Sequence, residues 1–181
     1  MADPLAPELE AMLWPYRASQ SAWSILDGAR DRRVWNALHE SSMRHTCLYR
    51  GPMAGSLEQA APHLVQLDYR QHDCEDLVRA AWGNSWGIFF RCQSTLDVLR
   101  RHFRQFLSVQ DASGRPLLFR YYDPRVLRVY LPTCRSNELR TIFGPVDCFC
   151  VEDDDPNKAI EFRFDGLGLV RKPLALALPS P

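Results

Sequence analysis

Three groupings of residues in this chain have the types and spacing that could do chemistry. Cys148-x-Cys150, together with Cys134, supplies three thiols of the kind that hold zinc as thiolates. His63 and His72 flank Asp68 and lie near Cys74, the residue types of a thiol nucleophile activated by an imidazole. The run LLFRYYDPRVLRVYL, residues 117–131, sets Asp123-Pro124 and the arginines Arg120, Arg125 and Arg128 inside an otherwise apolar and aromatic stretch.

Each grouping also has a reading without chemistry, and that reading is favoured. The thiols lack a CxxC pair and no HxxxH accompanies them, so a zinc site is not expected. The six cysteines (Cys47, Cys74, Cys92, Cys134, Cys148 and Cys150) are scattered and read as free, mostly buried thiols. No metal and no organic cofactor is expected. His63 falls on a strand and His72 on a loop, where structural or solvated roles are common. Asp123 beside arginine is held ionised, which makes a poor general base.

The Asp-Pro pair has a backbone role instead. LLFRYY (117–122) alternates Leu117, Phe119 and Tyr121 against Leu118, Arg120 and Tyr122, as a strand does. Asp123 then fits a helix N-cap, with its carboxylate accepting an orphan backbone N–H. Pro124 fits the first helical position, where its missing N–H costs nothing. The motif reads as a strand-to-helix pivot in which Arg120 and Asp123 are close enough to pair.

The elements that would position these residues alternate along the chain. Residues 1–20 are a proline-containing lead-in with a helical turn around Glu8–Trp14. SAWSILDGA (21–29) reads as a strand closed at Asp27-Gly28. DRRVWNALHESS (31–42) is a helix, and CLYRG (47–51) and HLVQLD (63–68) are strands. CEDLVRAAWG (74–83) is a helix capped by Asp73 and stopped by Gly83. WGIFFRC (86–92) is a buried strand. STLDVLRRHFRQFLSV (94–109) carries an apolar stripe at helical spacing, with Ser94 as its cap. NELRTIFG (137–144) is a short helix capped by Ser136, and PVDCFCVE and AIEFRFDGLGLVRK read as two closing strands. The expected fold class is α/β: a mixed β-sheet flanked by short helices in a single compact domain. The division along the chain is lead-in 1–20, α/β domain 21–147, and C-terminal strands and tail 148–181.

Composition narrows the function classes. The chain has 181 residues, suited to one domain with a sizeable core. Its formal net charge is zero, which argues against a dedicated nucleic-acid binder. No apolar run is long enough for a membrane helix, and no secretory signal is evident, so a cytoplasmic protein is expected. Twenty of the 22 basic residues are arginine, the cation suited to interface contacts. Of the tryptophans Trp14, Trp23, Trp35, Trp82 and Trp86, the last two are expected to pack in the core.

Taken in order, ILDGAR (25–30), LYRGP (48–52), APHLVQL (61–67), WGNSWGIFF (82–90), LRRHFRQFLSV (99–109), LLFRYYDPRVL (117–127) and IFGPV (142–146) resemble the type VI secretion effector-adaptor, or effector-chaperone, family. That family was formerly known only as a bacterial domain of unknown function. The string from Phe119 to Leu127 is the most specific element, and Trp82–Phe89 is next. The resemblance implies a non-enzymatic cytosolic protein that binds a toxic effector and assists its loading onto the trimeric VgrG spike. It implies no catalytic residues. The family's signature residues map to Asp27, Gly28, Tyr49, Pro62, Trp82, Trp86, Arg120, Asp123, Pro124 and Arg125, without implying which of them touch a partner. Many members continue past this domain into a larger C-terminal lobe. Here the residues after 145 are few and look like strands, so a reduced lobe is expected.

Alternatives of other classes are an immunity-type inhibitor of a bacterial toxin and, less favoured, a Cys/His hydrolase. Two surfaces are expected to meet partners. Val98, Arg101 and Arg104 lie away from the apolar stripe of the helix at 94–109 and would border an effector surface. The alternating Leu174, Leu176 and Leu178 could form an edge strand, pairing with the protein's own sheet or with a partner.

Overall fold

A computed structural model describes residues 5–15, 21–52, 54–111 and 113–177. Its centre is a seven-stranded sheet made of β1 (Ser21–Asp27), β2 (His45–Cys47), β3 (Pro62–Leu67), β4 (Gly87–Cys92), β7 (Val146–Glu152), β8 (Lys158–Phe164) and β9 (Leu169–Ala175). The spatial order is β2-β3-β1-β4-β7-β8-β9. The α/β class agrees with the sequence reading, but every neighbouring pair in this sheet is antiparallel rather than mixed. A second, two-stranded sheet pairs β5 (Ser108–Gln110) with β6 (Pro116–Leu118).

Helices cover both faces of the main sheet, and the alternation of side chains along each strand feeds two separate cores. On β1, Ala22 and Leu26 enter one core while Trp23 and Ile25 enter the other. On β4, Phe89 goes to the first, and Ile88, Phe90 and Cys92 to the second. This two-sided burial is why the central strands read as continuous apolar runs. The first core is closed by α1 (Pro7–Leu13), α2 (Arg32–His39) and α4 (His72–Ala81), through Leu9, Leu13, Val34, Leu38, Leu77 and Val78. The second is closed by α5 (Leu96–Arg104), α6 (Pro124–Tyr130) and α7 (Ser136–Phe143), through Leu99, Phe103, Leu127, Leu139 and Phe143. A short helix α3 (Gly55–Gln59) precedes β3, and a single 3-10 turn follows α6 at Leu131–Thr133. No helix among the described residues is long and apolar enough to cross a membrane.

Several local expectations shift. The helix expected over 94–109 ends at Arg104, and its cap is Thr95, whose hydroxyl accepts from the Val98 N–H at 3.5 Å. The residues that follow turn into β5, because Val109 finds a cross-strand partner in Leu117. The strand expected over 117–122 stops at Leu118, and Tyr121 and Tyr122 are both buried instead of alternating. Gln71 and Arg135, rather than Asp73 and Ser136, precede α4 and α7. At α7 the Glu138 carboxylate accepts from the Arg135 N–H at 2.6 Å, closing the first turn.

The C-terminal segment also differs. AIEFRFDGLGLVRK is a hairpin of two strands, β8 and β9, turned at 165–168, where Gly166 takes a φ of 95° and the Asp165 carboxylate accepts from the Leu167 and Gly168 N–H groups. The division drawn at residue 147 runs through β7, and residues 146–175 continue the main sheet instead of forming a lobe of their own. Leu174 packs against the first core, and Leu176 is buried with its N–H donating to the Asn157 carbonyl at 2.7 Å. Leu174 therefore belongs to the protein's own sheet and Leu176 to the first core, while Leu178 lies outside the described residues.

Candidate functional site

The signature residues converge on one end of the main sheet. β1 terminates at Asp27, whose N–H donates to the Trp86 carbonyl at 2.7 Å, just ahead of β4. Asp27 lies opposite Pro62 in the β1–β3 register. The next residue, Gly28, donates its N–H to the Ala61 carbonyl at 3.1 Å. A Cβ at Gly28 would stand 2.0 Å from the Gln59 carbonyl oxygen and 2.8 Å from that of Ala61. Only a residue without a side chain lets the chain after α3 come this close to the end of β1.

The carboxyl of Asp27 is buried, with a relative exposure of 2%. One oxygen accepts from the Ala29 N–H at 3.0 Å, and the other is paired with the Arg120 guanidinium. Arg120 was expected to meet Asp123; it reaches Asp27 instead. Asp123 caps α6 as expected, accepting from the Arg125 N–H at 3.0 Å, and Pro124 occupies the first helical position. The same carboxylate takes two bonds from the Arg125 side chain, at 2.9 and 2.6 Å. The Asp27–Arg120 pair therefore locks the segment leaving β6 onto the end of β1, while Asp123–Arg125 fixes the start of α6 within that segment.

Aromatic rings complete the cluster. Tyr122 is buried, and burial first, then the Asp27 charge, pushes its phenol well up. Tyr121 donates its hydroxyl to the Phe103 carbonyl at 2.9 Å, tying the pivot to α5. Trp86 is buried beneath the Arg33 guanidinium, which lies 5.0 Å from its ring centre. Trp82 is buried too, and its indole N–H donates to the Pro156 carbonyl at 3.1 Å. Both indoles are core residues, as expected.

Asp123 supports a direct prediction. Burial pushes its carboxyl up, but the Arg125 side-chain and backbone bonds outweigh this and hold it below the ordinary value of 3.8. A carboxylate depressed in the folded state stabilises above its unfolded pKa, and that stabilisation is lost as pH falls through the folded value. Asp123→Ala should cost about 1 kcal/mol through the lost cap, with little added by the half-exposed Arg125. Asp123→Asn, which keeps the cap acceptor, should retain most of that stability. Thermal melts at neutral pH and near pH 3 check this, since the difference between wild type and Asp123→Ala should shrink in acid.

The Cys/His grouping does not assemble. The His63 Nε2 is anchored on the Glu58 carbonyl at 3.0 Å. His72 is exposed on the first turn of α4, 3.9 Å from Glu75 and Asp76. Asp68 is engaged by the Arg70 guanidinium at 2.7 Å. Burial pushes the Cys74 thiol up, and its sulfur accepts from the Asp68 backbone N–H at 3.4 Å. Among the described residues neither imidazole touches the Cys74 sulfur.

The thiol grouping is rearranged. Cys134 packs beside the second core, while Cys148 and Cys150 face the first, so the sheet separates them. Glu161 on β8 takes the third position, and its carboxylate oxygen and the two sulfurs lie within 4.8 Å of one another. A cation already sits there. Arg91 donates to the Cys148 sulfur at 3.0 Å and to Glu161 at 2.8 Å, and Arg163 donates to Glu161 at 2.7 Å. The Cys148 thiol is held down, to about 7, by its hydrogen bond with Cys150 and by the Arg91 charge, whereas Cys150 is pushed up. A guanidinium occupying the carboxylate and one sulfur is the charge partner of this pocket, and it does not fit a divalent ion in the same place. Sequence spacing could not reveal Arg91 or Glu161 as partners of the thiols, since both come from neighbouring strands.

The Val98, Arg101 and Arg104 surface divides. Val98 and Arg101 are exposed. Arg104 is half-buried and donates to the carbonyls of Leu48 at 2.9 Å, Cys47 at 3.3 Å and Tyr49 at 2.5 Å, so it clamps the loop after β2. Helical spacing places Arg104 off the apolar stripe, but a guanidinium is long enough to find the orphan carbonyls of a neighbouring loop.

No curated protein and no solved structure matches this chain. A family model described as "Domain of unknown function (DUF4123)" matches residues 22–141, which takes in β1 through most of α7 and every residue of the pivot. The match spans well over half of the 181 residues. The chain belongs to the DUF4123 family.

Proposed function

We propose that this protein is a non-enzymatic bacterial adaptor that binds a type VI secretion effector in the cytoplasm and assists its loading onto the VgrG spike. The observation that carries this reading is how the pivot uses its charges. Asp27, Arg120, Asp123 and Arg125 are consumed in two internal pairs, which suits a scaffold that presents a surface rather than a site that turns over substrate. Family membership, with the resemblance of its motifs to effector-adaptors, supports the same direction. An apolar surface suited to contact lies next to the pivot: Val109, Leu117 and Leu118 of the β5–β6 hairpin are exposed, Leu118 at 55%.

The test is recovery of partners from the native bacterium with the tagged full chain. An adaptor retrieves both a spike protein and a larger effector. Retrieval of a toxin alone would make the protein an immunity-type inhibitor, and retrieval of neither would return an enzymatic role to consideration. Within the adaptor reading, Val98 and Arg101 border the effector surface, whereas Arg104 supports the loop beneath it. Arg101→Glu should leave the melting temperature unchanged and weaken effector capture by roughly tenfold, about 1.4 kcal/mol, at low salt. Arg104→Glu should lower the melting temperature, because three carbonyls lose their donor.

A further inference from the structure

At the β2 edge of the main sheet lies a cavity of about 620 Å³, within the size range of small-molecule sites. Its wall carries three guanidiniums, Arg50, Arg100 and Arg104, and three imidazoles, His39, His45 and His63, with Glu58 as its one carboxylate. Among the described residues none of these arginines makes an ion pair. Elsewhere in the molecule guanidiniums are repeatedly paired with carboxylates, as at Arg33, Arg70, Arg91, Arg115, Arg120 and Arg125. The Arg104 guanidinium is held below its ordinary value, first by burial and then by the charges of Arg100 and Arg50. The cavity therefore concentrates positive charge without an internal counter-ion equal to it.

Two buried polar atoms of the wall lack a partner: His63 Nδ1 and Arg100 Nε. His63 is itself 2% exposed. Buried polar atoms left unsatisfied are costly, and in a native fold they ask for an explanation. The three imidazoles are oriented, since His39 and His45 set Nδ1 on the Trp35 and Met43 carbonyls, each at 3.0 Å, and His63 sets Nε2 on that of Glu58. A cation is a poor candidate. The guanidiniums repel it, and among the described residues these imidazoles do not converge to metal-ligand spacing.

We propose that this cavity binds a small oxyanion of two or more charges, a phosphate compound or a polycarboxylate. Arg50 and Arg100 supply the charge. The free Arg100 Nε–H donates to one oxygen, and a protonated oxygen of the partly ionised ligand donates to His63 Nδ1. Arg104 holds the floor through its three carbonyl bonds. Tyr49, one of the signature residues, lines the same cavity.

Isothermal titration of the full chain with pyrophosphate and with citrate tests this, with acetate as the singly charged control. The expected result is binding of at least one of these polyanionic probes with a Kd below about 1 mM and at least tenfold weaker binding by Arg50→Gln/Arg100→Gln. Pyrophosphate alone would identify a phosphate ligand, and citrate alone a polycarboxylate. Arg50 is exposed and neither arginine is paired, so the double variant should fold; its melting curve verifies that. Independently of any variant, the His63 ring resonances of the wild-type protein should shift during the titration. Equal affinity in the double variant, unmoved His63 signals, or no binding of either probe would overturn the proposal. Binding of an acidic peptide with neither small ion would overturn it too, and would make the cavity a protein-docking surface.

Discussion

Gly28→Ala is expected to destabilise the protein by about 3 kcal/mol or more, at the upper end for overpacking because both obstacles are backbone atoms. The added methyl would lie 2.0 Å from the Gln59 carbonyl oxygen, and main chain cannot rotate aside as a side-chain tip can. Relief requires the chain after α3 to move off β1, which also breaks the 3.1 Å bond from the Gly28 N–H to Ala61. The disturbance would reach Asp27 next door and loosen its pairing with Arg120. In a chain of this size the melting temperature should fall by roughly 6–12 °C. Gly55→Ala is the control, since a Cβ there meets nothing within 4 Å. If Gly28→Ala melts with the wild type, the close approach of these two segments is not a constraint on the fold.

The second large effect is expected at Glu161. Arg91 is 5% exposed, lies on the first-core face of β4, and is neutralised by Glu161 across β7. Glu161→Ala leaves that guanidinium buried with a thiol as its nearest counter-charge, and should cost about 3–5 kcal/mol. The reverse deletion should be milder in one respect, because Glu161 keeps Arg163 at 2.7 Å. Replacing both, as Arg91→Met/Glu161→Leu, should recover most of the loss, since a buried pair exchanged for apolar side chains of similar volume is often close to neutral. Denaturant unfolding of Arg91→Met, Glu161→Leu and the double variant yields the coupling directly. Additive effects would show that the pair does not act as a unit.

What could be read from the sequence divides by distance along the chain. The Asp123 cap and Pro124 at the helix start were legible because capping involves residues two or three apart, and no other part of the protein changes its geometry. The central strands were legible because burial on both faces leaves continuous apolar runs. The pairing of Arg120 was not, because Asp123 stood three residues away and Asp27 stood 93 away, and only the folded sheet brings the latter near. Antiparallel order was hidden for the same reason: strand direction depends on where each helix crosses, which composition does not encode. The helix expected over 94–109 was too long because Phe106 and Leu107 extend its apolar stripe, although the chain has already turned toward β5. Arg104 illustrates the limit of periodicity, which separates inside from outside but cannot see a loop folding over the outside. The cavity at the β2 edge was hidden most completely. Its basic residues come from α2, β2 and the loop after it, β3 and α5, and no short window contains them.

The last strand carries a consequence for solubility. Among the described residues β9 closes one side of the main sheet with only β8 as its neighbour, so its outer row of backbone groups there is a template for another chain's strand. Such a rim invites runaway growth of sheet from molecule to molecule. Here it is blunted by its own composition. Pro173 removes one donor from the strand and blocks a continuous ladder, while Arg171 and Lys172, both exposed, place like charges that two copies would have to bring together. The composition of this one strand thus lets the protein persist at high concentration without zipping onto itself.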